Sequence, residues 1–69
     1  MPRLKAKIKY NDGIWREQYL PSTTDSLEMY NNLVQFKEFG YIQDFKLLLV
    51  KQVNNKTMEV DIEDIFRRL

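Results

Sequence analysis

The sequence predicts an α+β fold of order ββαββα: a four-stranded, mostly antiparallel sheet, one long helix packed on one face, and a short C-terminal helix. Three observations carry this. Apolar and charged residues alternate strictly from Arg3 to Tyr10. A broad apolar stripe at helical spacing follows between Asp25 and Gly40. An apolar run centred on Leu47 then leads into an Asn-Asn pair and another strand-like stretch.

The first strand sets Leu4, Ala6, Ile8 and Tyr10 against Arg3, Lys5, Lys7 and Lys9, the period-two pattern of a half-buried strand. Asn11-Asp12-Gly13 is a strong turn signal, because Asp and above all Gly accept positive φ. Ile14 to Leu20 returns as the second strand. Pro21 ends it, having no N–H for a ladder.

Residues 25–39 form the long helix. Asp25 with Glu28 three places on makes a capping pair, with Thr24 as a competing cap. Leu27, Met29, Tyr30, Leu33, Val34 and Phe36 give one broad apolar stripe, and Gly40 suits the C-terminal stop. The third strand is Phe45 to Val53. Asn54 and Asn55 offer a two-residue turn, since Asn tolerates positive φ best after Gly. The fourth strand, Thr57 to Asp61, then pairs Lys51 with Met58, Leu49 with Val60 and Leu47 with Ile62. This register also aligns the apolar faces. In the tail, Ile62, Ile65, Phe66 and Leu69 recur at helical spacing after a candidate cap at Asp61. Acids open the segment and Arg67 and Arg68 close it, as the helix dipole favours. A helix of barely two turns must pack on something, here at a sheet edge or on the face opposite the long helix.

With 69 residues the chain is one domain, 1–69, near the lower limit for independent folding. Chains this short usually draw stability from disulfides, a metal or a partner. Cys and His are both absent, which removes disulfides and the usual zinc ligands. Self-association, as a homodimer, is the expected extra source. The 11 basic and 10 acidic residues give a net charge of +1, which makes no bulk case for nucleic acid or membrane. The distribution is uneven. Arg3, Lys5, Lys7, Lys9 and Arg16 face only Asp12 and Glu17 in residues 1–20, whereas residues 21–45 are acidic. No apolar run approaches the ~20 residues of a membrane span, and the basic start lacks the apolar stretch of a signal peptide. A cytoplasmic location is expected.

The third strand points to a docking surface. Besides Phe45, Leu47 and Leu49, its other face carries Leu48 and Val50. A strand apolar on both sides is normally covered on both, and one long helix covers one. The tail helix or another protein must supply the rest. The expected partner surface is Leu48 and Val50 with Phe66 and Leu69, or the exposed aromatics Phe39 and Tyr41.

The first hairpin has two competing registers. A two-residue Asp12-Gly13 loop places Trp15 and Tyr19 with the core residues and Glu17 opposite Ile8. A three-residue Asn11-Asp12-Gly13 loop pairs Lys7 with Glu17 and sets Trp15 and Tyr19 among Lys5, Lys7 and Lys9. At about 25 cal/mol per Å2 of buried apolar area, the first register is favoured, with Glu17 snorkelling from an edge. The second supplies an alternative function. Arg3, Lys5, Lys7, Lys9 and Arg16 with Trp15 and Tyr19 would bind single-stranded nucleic acid, cations meeting phosphates and rings stacking on bases.

Other chemistries find little support. Glu59, Asp61, Glu63 and Asp64 lack the Gly-containing loop of a calcium site, so no metal is expected. Ser22 and Ser26 have no evident base, and both glycines are explained by turns. No enzymatic activity, cofactor or small-molecule substrate is expected. The Asn, Lys and Ile usage and compact size resemble small microbial or phage accessory proteins. The reading is a non-catalytic protein-interaction module: a small adaptor, inhibitor or regulator that self-associates.

Overall fold

A computed structural model describes residues 3–68. The elements are β1 (Arg3–Lys9), β2 (Trp15–Tyr19), α1 (Ser26–Glu38), β3 (Asp44–Val53), β4 (Lys56–Asp61) and α2 (Ile62–Arg67). The sheet order is β2-β1-β3-β4, with every neighbouring pair antiparallel. This is the predicted ββαββα architecture.

Local chemistry sets the element ends. Asp25 caps α1 by accepting the N–H groups of Leu27 and Glu28, satisfying donors that the first helical turn leaves unpaired. Asp61 does the same for α2 through Glu63. Asn54 and Asn55 have φ of 52° and 62°, the two left-handed residues of a tight hairpin turn. The register beyond it pairs Lys51 with Met58 and Leu49 with Val60. Ile62 has left the strand to open α2, but its side chain stays in the core beside Leu47.

The core lies on one face of the sheet. Ala6 from β1, Leu47 from β3, Leu33 from α1, Ile62 from α2 and Ile42 from the connecting loop form its buried cluster. The Tyr30 ring joins the layers, edge-on to Phe45 at 5.7 Å and to Phe66 at 5.4 Å. Both helices therefore pack on the same face. The expectation that α2 would sit at an edge or on the opposite face is corrected. The chain turns straight out of β4 at Asp61, and Ile62, Ile65 and Phe66 follow the inner apolar row.

The first hairpin adopts the three-residue loop, so the preference for a buried Trp15 is also corrected. Lys9 pairs with Trp15, Lys7 with Glu17 and Lys5 with Tyr19. The Tyr10 and Ile14 backbones bond across the loop at 3.2 Å, and Gly13 N–H donates to the Tyr10 carbonyl. Gly13 has φ 81°, and Asp12 accepts the Ile14 N–H and pairs with Arg16 at 2.7 Å. Turn chemistry prevails because the opposing area argument assumes a lid over β2. α1 lies over β3, and α2 over β3 and β4. All five β2 residues are exposed, on both faces, so rings turned inward there would gain little burial, and Glu17 would lose its lysines.

Candidate functional site

Two surfaces remain once the helices are placed. The first is the helix-free face of the sheet. Register puts Arg3, Lys5, Lys7 and Lys9 there with Trp15, Glu17 and Tyr19, and with Lys46, Leu48, Val50 and Glu59. Trp15 and Tyr19 are 43% and 46% exposed. The lysine and aromatic residues named as nucleic-acid candidates thus share a face, except Arg16. That residue lies on the other face, stacked 4.9 Å from the Tyr10 ring.

Much of the basic charge on this face is matched. Lys5 reaches Glu59 at 2.7 Å and Glu17 at 3.8 Å; Lys7 reaches Glu17 at 3.1 Å and Glu59 at 3.9 Å. Two lysines and two glutamates form a neutral square. The Glu59 hydrogen bond raises the Lys5 pKa against the opposing effect of desolvation, and the Lys5 bond lowers that of Glu59. The Arg3 guanidinium lies 4.4 Å from the centre of the Tyr19 ring. Lys9 and Lys46 have no ion pair among the described residues.

The square also decides the fate of the expected docking residues. Lys5 lies opposite Leu48 and Glu59 opposite Val50, so their bond crosses β3 above both. Leu48 and Val50 are 7% and 8% exposed. The chain's own side chains cover them, so they present little surface. Phe66 is half-buried against Tyr30, a core contact. Leu69 lies outside the described residues. Phe39 and Tyr41 are 67% and 66% exposed.

These last two belong to the second surface. α1 ends in a Schellman motif: Tyr41 N–H donates to the Phe36 carbonyl and Gly40 N–H to the Lys37 carbonyl. Gly40 takes φ 80°, which turns the chain so that the Tyr41 ring meets Phe36 at 6.1 Å and Phe39 at 6.0 Å. The first hairpin is tied to this cap. Asn11 Nδ2 donates to the carbonyls of Gly40 (3.0 Å) and Tyr41 (3.4 Å), and Gln43 N–H donates to Lys9.

Beside the aromatic cap runs an open groove of about 440 Å3 between α1 and the hairpin. Ala6, Ile8 and Leu20 form its floor and Met29, Leu33 and Phe36 its helical wall. No charged residue lines it, whereas the depression beside Tyr30 and Phe45 is rimmed by Lys37, Glu38, Asp44 and Glu63. The sequence did show the wall, as part of one broad apolar stripe. The groove was missed because it depends on where α1 crosses the sheet.

The acidic residues of the second half are otherwise engaged: Glu59 by Lys5, Asp61 as a cap, Glu63 by Arg67 at 3.0 Å. Among the described residues no group of three or more Asp and Glu gathers as metal ligands, and no helix is long and apolar enough to cross a membrane. Comparison with known proteins finds no matching family model, no similar curated protein and no similar solved structure.

Proposed function

We propose that this chain is a non-catalytic protein-interaction module that docks through the groove between α1 and the first hairpin. The observation that supports it is the aromatic cap: the exposed rings of Phe36 and Phe39 both meet the exposed Tyr41 ring, and Phe36 and Tyr41 line an uncharged, mainly apolar groove. Contiguous exposed apolar surface of this kind marks interaction sites, and aromatics dominate their binding energy. A photo-crosslinking amino acid at position 39 tests it in cells expressing the chain. The expected result is a discrete adduct from position 39 and none from position 57 on the far edge strand. The same diffuse products from both positions would refute the proposal.

A second reading, single-stranded nucleic acid on the helix-free face, rests on Trp15 and Tyr19 facing the lysines. Its electrostatic support is thin, because Lys5 and Lys7 are neutralised by Glu17 and Glu59. It requires Trp15 fluorescence to quench on titration with an oligonucleotide at low salt, and the effect to fade steeply as salt rises.

A further inference from the structure

We infer that Asp12 is a site of spontaneous backbone isomerisation, and that Arg16 guards it by gripping both oxygens of its carboxylate. The inference concerns the loop of the first hairpin and is independent of the docking reading above.

The chemistry singles out this position. An Asp side chain is open to attack by the backbone nitrogen of the residue after it. Here the Gly13 nitrogen would bond to Asp12 Cγ, and the carboxyl hydroxyl would leave with the amide proton as water, closing a cyclic imide. Water then opens the imide. Opening on one side restores Asp; opening on the other routes the backbone through the side-chain carbonyl, as isoaspartate. One water leaves and one returns, and no other reactant is needed. Asp12 is the one Asp or Asn in the chain that glycine follows, and glycine has no Cβ to hinder the approach. The Asp12 side chain is 45% exposed, so water reaches it.

The folded geometry opposes each requirement of that step. Arg16 Nη2 donates to Asp12 Oδ2 at 2.7 Å and Nη1 to Oδ1 at 3.4 Å, while Ile14 N–H donates to Oδ1 at 3.0 Å. These bonds fix the rotation of the carboxylate and favour its ionised form, which has no hydroxyl to lose. Gly13 N–H donates to the Tyr10 carbonyl at 2.9 Å, which holds the proton that the attack must shed. Isomerisation would add one atom to the backbone of a three-residue loop. The neighbouring Asn11 binds the carbonyls of Gly40 and Tyr41 and accepts from Gln43 Nε2 at 3.2 Å, so the lengthened loop would loosen the hairpin from the end of α1.

Incubation of the full chain at neutral pH and physiological temperature tests this. Cleavage after lysine isolates residues 10–37, and electron-transfer fragmentation locates isoaspartate at position 12. Its unchanged mass separates it from deamidation of Asn11. Folded Arg16→Ala is expected to accumulate isoaspartate several-fold faster than the folded wild type. In urea, where the grip is absent from both, the two should react equally and faster than the folded wild type. Arg16→Gln, which keeps a stem beside Tyr10, gives the same comparison if the alanine variant does not fold. Equal rates in the folded wild type and a folded Arg16 variant overturn the inference. So does a wild type that reacts as fast folded as in urea, or one that forms no isoaspartate at position 12 in urea.

Discussion

The Lys5 ammonium lies 2.7 Å from Glu59 Oε1, although β1 and β4 are not neighbours and β3 runs between them. The bond is a strap across the helix-free face. It shields Leu48 and Val50 on the face opposite the helices, and among the described residues Lys5 is the one buried residue that carries a charge. Lys5→Ala is therefore expected to lower the melting midpoint by several degrees and raise dye binding to exposed apolar surface. Removing Lys5 takes away the stem that covers Leu48 and Val50. Lys5→Met combined with Glu59→Leu should recover much of the loss, because apolar side chains of similar length restore that cover. Thermal melts of the three variants check this. If Lys5→Ala melts like the wild type, the strap contributes nothing.

The same contacts set a pH profile. Glu59 is held below its ordinary 4.5, first by the Lys5 hydrogen bond. Asp44 lies below 3.8 through the Phe45 N–H and Lys37, and Asp12 below 3.8 through Arg16 and Ile14. A carboxylate with a lower pKa in the folded state binds fewer protons there than in the unfolded chain. Its stabilisation is present above the ordinary value and lost as pH falls through the lowered one. Lys5, raised above 10.5 by Glu59, has the opposite sense: its contribution holds below 10.5 and is lost as pH climbs through the raised value. Stability should be level between about pH 5 and 10, with an acid limb below and an alkaline limb above. Glu59→Gln should make the acid limb shallower. A melting midpoint that does not move between pH 6 and pH 2.5 would contradict these assignments.

Trp15 separates the two hairpin registers in solution. It is 43% exposed and pairs with Lys9 on the open face. Its emission should lie close to that of free tryptophan and be quenched readily by acrylamide. Trp15→Ser should change stability by less than about 1 kcal/mol, as for surface positions generally. A blue-shifted, quencher-resistant emission would place the ring inside and restore the two-residue loop.

What the sequence made legible was local. Asp25 and Asp61 cap donors two or three residues away, and Asn54-Asn55 needs only its own backbone to turn. These elements and the second hairpin's register could be read directly. The first hairpin could not, because its register turns on whether a helix shelters β2. That is set by how α1 crosses the sheet, which no local pattern encodes. Leu48 and Val50 were misjudged for a related reason. Their cover comes from two residues 54 positions apart, and a long charged side chain counts as polar in any pattern even when its stem shields apolar atoms. Phe39 and Tyr41 were identifiable as exposed aromatics. Their alliance with Phe36 was not, because it needs the Gly40 turn.

That turn supplies the last prediction. Gly40 has φ 80°, and a Cβ added there would meet nothing within 4 Å. Gly40→Ala therefore tests backbone strain alone, with no steric clash, and should cost about 1–2 kcal/mol in urea unfolding. Gly40→Asn should cost less, since Asn enters the left-handed region with its side chain bonding locally. In Gly40→Ala the Tyr41 ring should also part from Phe36, visible as loss of ring-current shifts on both residues. Should Gly40→Ala match the wild type in stability and in those shifts, α1 does not end in the left-handed cap, and the aromatic mouth of the groove is not built as described.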